Sequence, residues 1–465
     1  MKKLSLNKII DYSSAELIKG NELIEIEEIV IDSRDVKEGF LFIAIIGENQ
    51  DGHDFLEQAV NNGARAVIVD REIKEDFILN SETAVLKVKD TTKALQDIAH
   101  NYKKEFKNLK VIAVTGSAGK TTTKDMIFSV LSQKYNCLKT MGNYNNHIGL
   151  PLTLLRLNGE EDFAILEMGM SGFGEISLLA EIAEVDTGIV TNVAAAHLKQ
   201  LGSLENIAKA KKELIDSLTK DNTAVLNYDN KYTRKMGKDC RPEVIYFGFE
   251  NNPDLRITDY SYSLEENILE FKLSYQDEIY RFFINKAGKH NIYNAAAAIV
   301  VALKYNLNHS EIQEGLKNLE FSSLRMEIVK LNNRSKIIND SYNANPLAVK
   351  AALDVLIDLK GKRKIAVLAS MLELGEKSIQ KHQEIGEYAA EKGVDLLITI
   401  GEKAENIAAG AEKKMDSKSI ISFANNQECI DFLTNKIKQD DLILVKGSRA
   451  NKLEEIVESL KNKEL

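Results

Sequence analysis

The chain has 465 residues, 44% hydrophobic and 28% charged, with 61 basic and 70 acidic side chains and a net charge of −9. That length exceeds a single core and predicts about three domains. The composition is that of a soluble globular protein, and the acidic balance argues against nucleic acid or an anionic membrane as partner. The cysteines Cys137, Cys240 and Cys429 stand far apart, without metal-type pairing, as expected of a protein in a reducing cytoplasm. The opening stretch "MKKLSLNKIIDYSS" has no long apolar run, so no signal peptide is expected. No segment approaches the roughly 20 apolar residues of a membrane span.

In chain order, residues 1 to about 85 carry the β-like runs "FLFIAIIG" and "ARAVIVD" with a helix-like stretch between them. From "LKVIAVTG" to about 320, apolar strands alternate with helical patterns. "FAILEMG" and "TGIVTNV" read as buried strands of a parallel sheet. "KDMIFSVL" places Met126, Ile127, Val130 and Leu131 on one helical face. "VIYFGF", "NILEFKLSY" and "IYRFFI" read as antiparallel strands. From about 321, strand and helix alternate again through "KIIND", "KIAVLAS", "DLLITIG" and "DLILVKG", a doubly wound α/β pattern. The expectation is an α/β protein of three domains, residues 1–85, 86–320 and 321–465.

Ligands of α/β sheets bind beyond the carboxyl ends of strands, so the polar residues there are the candidates. In "VIAVTGSAGKTTT" an apolar run ends in a small-residue loop, then Lys120 and Thr121. That is the order of a phosphate loop: free backbone N–H groups, a lysine for the β/γ oxygens, a hydroxyl for Mg²⁺, then a helix. The usual pattern has a glycine where Val114 stands, and a bare Gly-Lys-Thr equally suits a surface turn. Glu167 ends the apolar "FAILE", where an unpaired carboxylate is costly, and a metal ligand explains it better than an edge residue. His197 follows "TGIVTNV". "GNYNNHIGLP" crowds Asn143, Asn145, Asn146 and His147 into a loop that turn chemistry alone also explains. "KGSR" (Lys446 to Arg449) and "DSR" (Asp32 to Arg34) follow apolar runs, as an anion pocket or as solvated turns. There is no Ser/His/Asp nucleophile pattern, zinc spacing or dinucleotide fingerprint.

Together these stretches resemble the Mur ligase family over nearly the whole chain. The family's nucleotide loop reads T-G-x-x-G-K-T without the distant glycine, and Thr115 to Thr121 match it in full. The resemblance implies a small N-terminal UDP-sugar domain, a central P-loop-type ATPase domain with a mostly parallel sheet, and a Rossmann-like C-terminal domain. It implies that ATP meets Thr115, Gly116, Ser117, Ala118, Gly119, Lys120, Thr121 and Thr122, with His290, Asn291, Asn294, Arg325 and Asp340. It carries catalytic roles onto Lys120, Glu167, His197 and Lys211. Thr121, Glu167, His197 and a carbamylated Lys211 become ligands of two Mg²⁺ ions, the histidine site also admitting Mn²⁺. Substrate contacts fall on Ser33, Arg34, Asn143, Asn145, Asn146, Tyr342, Asn343, Asn345, Lys446, Ser448 and Arg449. The implied reaction is ATP-dependent amide formation in peptidoglycan precursor synthesis, joining D-alanyl-D-alanine to UDP-MurNAc-tripeptide in a cytoplasmic monomer. The chain departs from the family pattern at Leu324, which stands where a glycine usually precedes Arg325, and at Ser370, which replaces the aspartate of G-D-M-x-E-L-G. Glu373 and Gly375 are retained.

Overall fold

The computed structural model describes residues 1–73, 82–250, 252–263, 268–319 and 324–463; the expected junction at 320–321 lies outside the described residues. Near the N-terminus β1 (Leu4–Ser5) pairs with β3 (Glu25–Ile26). The strands β2 (Glu16–Lys19), β4 (Glu28–Val30), β5 (Phe40–Ile43), β6 (Ala66–Val69) and β7 (Ala84–Lys87) form a second sheet in the order β2-β7-β6-β5-β4, parallel except for β2.

The central sheet has nine strands: β8 (Lys110–Thr115), β9 (Cys137–Lys139), β10 (Phe163–Glu167), β11 (Thr187–Val190), β12 (Thr223–Asn227), β13 (Glu243–Gly248), β14 (Leu255–Ser263), β15 (Ile268–Tyr275) and β16 (Glu278–Ile284). Their order is β16-β15-β14-β13-β12-β11-β8-β10-β9. Side chains of β8 alternate between two cores. Ile112 and Val114 join Met126, Ile127, Val130 and Leu131 of the helix Lys120–Leu131, while Val111 and Ala113 join the cluster that holds Leu95 and Ile98 of the helix Thr91–Lys104. Full burial of each large side chain contributes about 1.5–3 kcal/mol, so both faces of β8 anchor the loop that follows it. One expectation needs correction. "VIYFGF" is β13, which pairs in parallel with both β12 and β14; in this sheet, among the described residues, only β14, β15 and β16 form antiparallel pairs. Short apolar runs do not encode strand direction, which the crossover decides. β14 has no apolar run to mark it, because "TDYSYS" within it is polar.

The C-terminal sheet holds β17 (Glu327–Lys330), β18 (Lys336–Asp340), β19 (Lys364–Ala369), β20 (Leu396–Ile400), β21 (Ile420–Phe423) and β22 (Leu442–Lys446), in the order β17-β18-β22-β19-β20-β21. All pairs are parallel except β17 with β18. No helix among the described residues is long and apolar enough to cross a membrane. In the central sheet the chain leaves β8 for β9 on one side and later returns to β11 on the other. β10 and β11 thus flank β8, and the ends of these three strands open a crevice at the switch point.

Candidate active site at the strand ends

The crevice is a cleft of about 710 Å³ lined from both the central and the C-terminal units. The loop after β8 forms one wall. Gly116 has φ +151° and Gly119, which caps the helix Lys120–Leu131, has φ +82°. A Cβ on Gly116 would lie 1.9 Å from Thr191 Oγ1, so the loop can lie against the end of β11 only as glycine. The loop is braced there: Asn192 Oδ1 accepts from the Ala118 N–H at 3.0 Å, and Thr191 Oγ1 donates to the Ala118 carbonyl at 2.7 Å. Thr115 is fully buried and donates to the Met168 carbonyl, so it fixes the loop to β10 and does not line the cleft. Gly116→Ala is expected to destabilise the fold by about 1–3 kcal/mol and to abolish ADP binding. A thermal melt and a calorimetric ADP titration check this; unchanged ADP affinity would contradict it.

Lys120 points back to its own loop, donating to the Gly116 carbonyl at 2.9 Å. Burial pushes its pKa down, against the opposing pull of Glu167. Glu167, buried at the end of β10, accepts from Thr121 Oγ1 at 2.8 Å and from Asn145 Nδ2 at 2.8 Å. A buried carboxylate held by two neutral donors, with a hydroxyl beside it, offers two oxygens to a hard cation. Among the described residues no group of three or more His, Cys, Asp or Glu side chains could hold a metal. The Thr121–Glu167 pair suits Mg²⁺, which takes one or two protein oxygens and completes its shell with water and phosphate. Thr121 and Glu167 fit this role.

His197 does not join them directly. It sits in the left-handed region (φ +56°), and its Nδ1 lies 2.7 Å from Glu373 Oε2 of the C-terminal unit, off the direction a hydrogen bond needs. Lys211 is buried in the helix Leu204–Asp216, and among the described residues none accepts a hydrogen bond from it. Its pKa is driven well below the usual lysine value, first by burial and then by the charge of Lys120. Lys209 and Lys212 lie on the same helix; Lys209 is exposed and Lys212 pairs with Asp216.

The opposite wall begins at the helix His290–Lys304. Asn294 accepts from Thr123 Oγ1 at 3.2 Å and donates to Asn291, which donates to the Ala287 carbonyl at 2.7 Å. These asparagines therefore brace the helix start against the phosphate loop. Burial lowers the His290 pKa to about 4. The Arg325 guanidinium stacks over Tyr342 at 4.2 Å, Lys286 donates to the Arg325 carbonyl at 2.8 Å, and the Met326 N–H donates to Asp340 at 3.2 Å. Leu324, the departure from the family glycine, has φ +62°, the region where glycine is most at ease. The buried Lys446 pairs with Asp340 at 2.5 Å and donates to the Asn343 carbonyl at 2.9 Å. Asn345 caps its helix by accepting from the Ala348 N–H and also donates to the Ser117 carbonyl at 3.2 Å, which ties the C-terminal unit to the phosphate loop.

Of the asparagine loop, Asn143, Asn145 and Asn146 all line the cleft, while Asn146 also accepts from the Gly149 N–H, so turn and site readings both hold. Four expected substrate residues do not line it. Ser33 is buried, donating to Gln58 at 2.7 Å. Arg34 is exposed in a fork with Asp32. Ser448 accepts from the Leu372 N–H, and Arg449 pairs with Glu454 at 2.5 Å. Sequence reading missed Asn192, Asp229, Lys286 and Tyr293, which do line it. Asn192 and Asp229 follow the strands β11 and β12 and were findable by the strand-end rule. Lys286, whose pKa burial lowers to about 8, carries no motif.

A glycine loop at a helix start, a buried carboxylate on the neighbouring strand and a Rossmann-like unit beside both form an arrangement that suits a nucleoside triphosphate. Comparisons with known proteins agree. The model of the Mur ligase family catalytic domain matches residues 25–103, that of the Mur ligase middle domain residues 114–302, and that of the Mur ligase glutamate ligase domain residues 324–449. The chain is 38% identical to the UDP-N-acetylmuramoyl-tripeptide–D-alanyl-D-alanine ligase of Bacillus subtilis (strain 168), covering 96% of this chain and 97% of that one. It is similar in structure to MurF from Acinetobacter baumannii, with TM-score 0.91, 30% identity and full coverage of both chains. It also resembles the MurF ligase of Thermotoga maritima in complex with ADP, with TM-score 0.82, 29% identity and coverage of 94% and 97%. The chain belongs to the Mur ligase family.

Proposed function

We propose that this chain is an ATP-dependent amide ligase that joins D-alanyl-D-alanine to UDP-MurNAc-tripeptide, giving UDP-MurNAc-pentapeptide, ADP and phosphate. What carries the reading is the Lys120–Thr121–Glu167 cleft in a chain that matches ligases of that name over nearly its full length. A carboxylate is a poor electrophile at neutral pH. Phosphorylating the terminal carboxylate of the tripeptide supplies the leaving group, and the dipeptide amine then displaces phosphate from the acyl phosphate. Such transfer needs positioning and charge neutralisation more than covalent help. Lys120 serves the transferring phosphoryl group, and Arg325 meets its far side. Mg²⁺ held by Thr121 and Glu167 would neutralise phosphate charge; His197 and a carbamylated Lys211 are the proposed ligands of a second ion.

The proposed division of labour is residues 1–85 for the UDP-sugar, 86–320 for ATP and 321–465 for the dipeptide, with the first boundary shifted past β7 (Ala84–Lys87), because that strand pairs within the N-terminal sheet. The contact from Asn345 to the phosphate loop supports closure of the last over the second, which would keep water from a hydrolysable intermediate. We place the reaction in the cytoplasm and assign it to a monomer. The test is ADP release with each substrate alone and with both. Release only with both, and mass-spectrometric detection of the pentapeptide, is expected; release with glutamate or another single amino acid in place of the dipeptide would point to a sister ligase instead. Running the assay with a lysine and a diaminopimelate tripeptide identifies the third residue.

Arg449 is assigned to the dipeptide carboxylate by forked hydrogen bonds. It holds Glu454 through Nη1, so other guanidinium nitrogens are free to meet a ligand. Arg449→Ala is expected to raise the apparent KM for D-alanyl-D-alanine about tenfold or more, in line with loss of a charged hydrogen bond, and that for ATP far less. An effect confined to ATP would move Arg449 to the nucleotide.

A further inference from the structure

Glu373 belongs to the stretch in which Ser370 replaces an aspartate, and no role has yet fallen to it. The loop that carries it is anchored twice: the Met371 N–H donates to His382 Nε2 at 2.9 Å, and the Leu372 N–H to Ser448 Oγ at 3.0 Å. His382 can accept there because its Nδ1–H is engaged by the Ser378 carbonyl at 2.7 Å. Between these anchors and Gly375 the backbone turns through Glu373 at φ +65°, a costly conformation for a residue with a side chain. The turn delivers Glu373 to the central unit. Its carbonyl accepts from the Lys199 N–H at 3.0 Å, and its carboxylate comes within 2.7 Å of His197 Nδ1. His197 is itself left-handed, at φ +56°. Two side-chain-bearing residues in strained conformations thus meet across the interface, and strain of this kind persists where the surroundings enforce it.

The contact is not explained as a stabilising ion pair. The Glu373 side chain is 47% exposed, where solvent weakens such pairs. Its chemical content is directional. A neutral imidazole carries one N–H and one lone pair, and an acceptor beside one nitrogen holds the proton there. His197 Nδ1 is buried, lacks a well-aligned hydrogen bond, and has this carboxylate as its neighbour. Misaligned contacts of this type tighten when ligands enter.

We propose that Glu373 is a positioning residue: it keeps the proton of His197 on Nδ1, so that Nε2 presents its lone pair to the cleft, and it does so only while the C-terminal unit is docked on the central one. This rests on the ligase reading for its kinetic consequence, but the tautomer can be read without turnover. Two experiments test it. In the first, the chain carries ¹³C,¹⁵N-histidine; with seven histidines in all, His197→Gln identifies the His197 signals by their loss. The Nδ1–H tautomer is expected in the wild type and in Glu373→Gln, whose amide oxygen still accepts, and its loss is expected in Glu373→Ala. In the second, Glu373→Ala should lower kcat about tenfold or more with the KM for ATP within about twofold, Glu373→Gln should recover most of the rate, and Glu373→Ala should cost nothing further in a His197→Gln background. An Nε2–H tautomer in the wild type, an unchanged tautomer in Glu373→Ala, or additive losses in the double variant would overturn the proposal. The expected loss of the Nδ1–H tautomer in Glu373→Ala, together with a wild type that makes no pentapeptide, would count against the ligase reading and for the positioning role.

Discussion

Lys120→Ala is expected to lower turnover at least ~100-fold, a loss of about 3 kcal/mol of transition-state stabilisation, while leaving a folded protein. The two halves of this expectation have separate reasons. Among the described residues Lys120 makes a single hydrogen bond, to the Gly116 carbonyl of its own loop, and losing it costs about 1 kcal/mol. The loop itself is held by Asn192, Thr191 and Asn345, none of which depends on the lysine. The charge is what the reaction uses. Lys120 lines a cleft with one buried carboxylate, Glu167, and its burial makes each charge interaction stronger than it would be in water. Steady-state ADP release, with circular dichroism as the control for folding, decides the matter. A folded variant within about threefold of wild-type turnover would refute the assignment of this loop to phosphate transfer.

Lys211→Ala is expected to lose comparable activity and to regain part of it with a small added carboxylic acid. Lys211 is buried and, among the described residues, makes no hydrogen bond, so its cationic form is disfavoured: burial first, and then the charge of Lys120, lower its pKa. A neutral amine is what carbamylation requires, and the carbamate would turn a disfavoured cation beside Lys120 into an anion that pairs with it. A small carboxylate could replace that anion in the alanine variant. Lys212→Ala is the control, because Lys212 faces outward to Asp216; it should change activity little. Intact-protein and peptide mass spectrometry of enzyme kept in bicarbonate, or ¹³C NMR with labelled bicarbonate, reads the modification directly. Full activity of Lys211→Ala without additive, or an unmodified amine under bicarbonate, would defeat the idea.

Much of this protein was legible in its residues alone, because local chemistry decided it. A strand buried on both faces must be apolar throughout, so β8, β10, β11 and β22 stood out. A loop that bares its N–H groups must be built from small residues, and Gly116 proves to have no room for a Cβ. Ligands of such sheets bind at strand ends, and that rule alone points to Lys120, Glu167, His197 and Lys446 as candidates. Direction and partnership were not legible in this way. "VIYFGF" has the same apolar run whether it lies parallel or antiparallel, and only the sheet order settles it. Lys211 and Lys212 are neighbours of the same type on one helix; the packing of one face buries the first and leaves the second half-buried and paired with Asp216. Arg34 and Arg449 read as equals of Lys446, yet Lys446 is drawn into the cleft by Asp340, 106 residues away in the chain. The meeting of His197 with Glu373, 176 positions further on, depends on the docking of one unit against another. Chain-local rules determine which groups are available at a strand end; only the folded arrangement determines which of them face each other, because burial and pairing are properties of neighbours that the sequence does not place side by side.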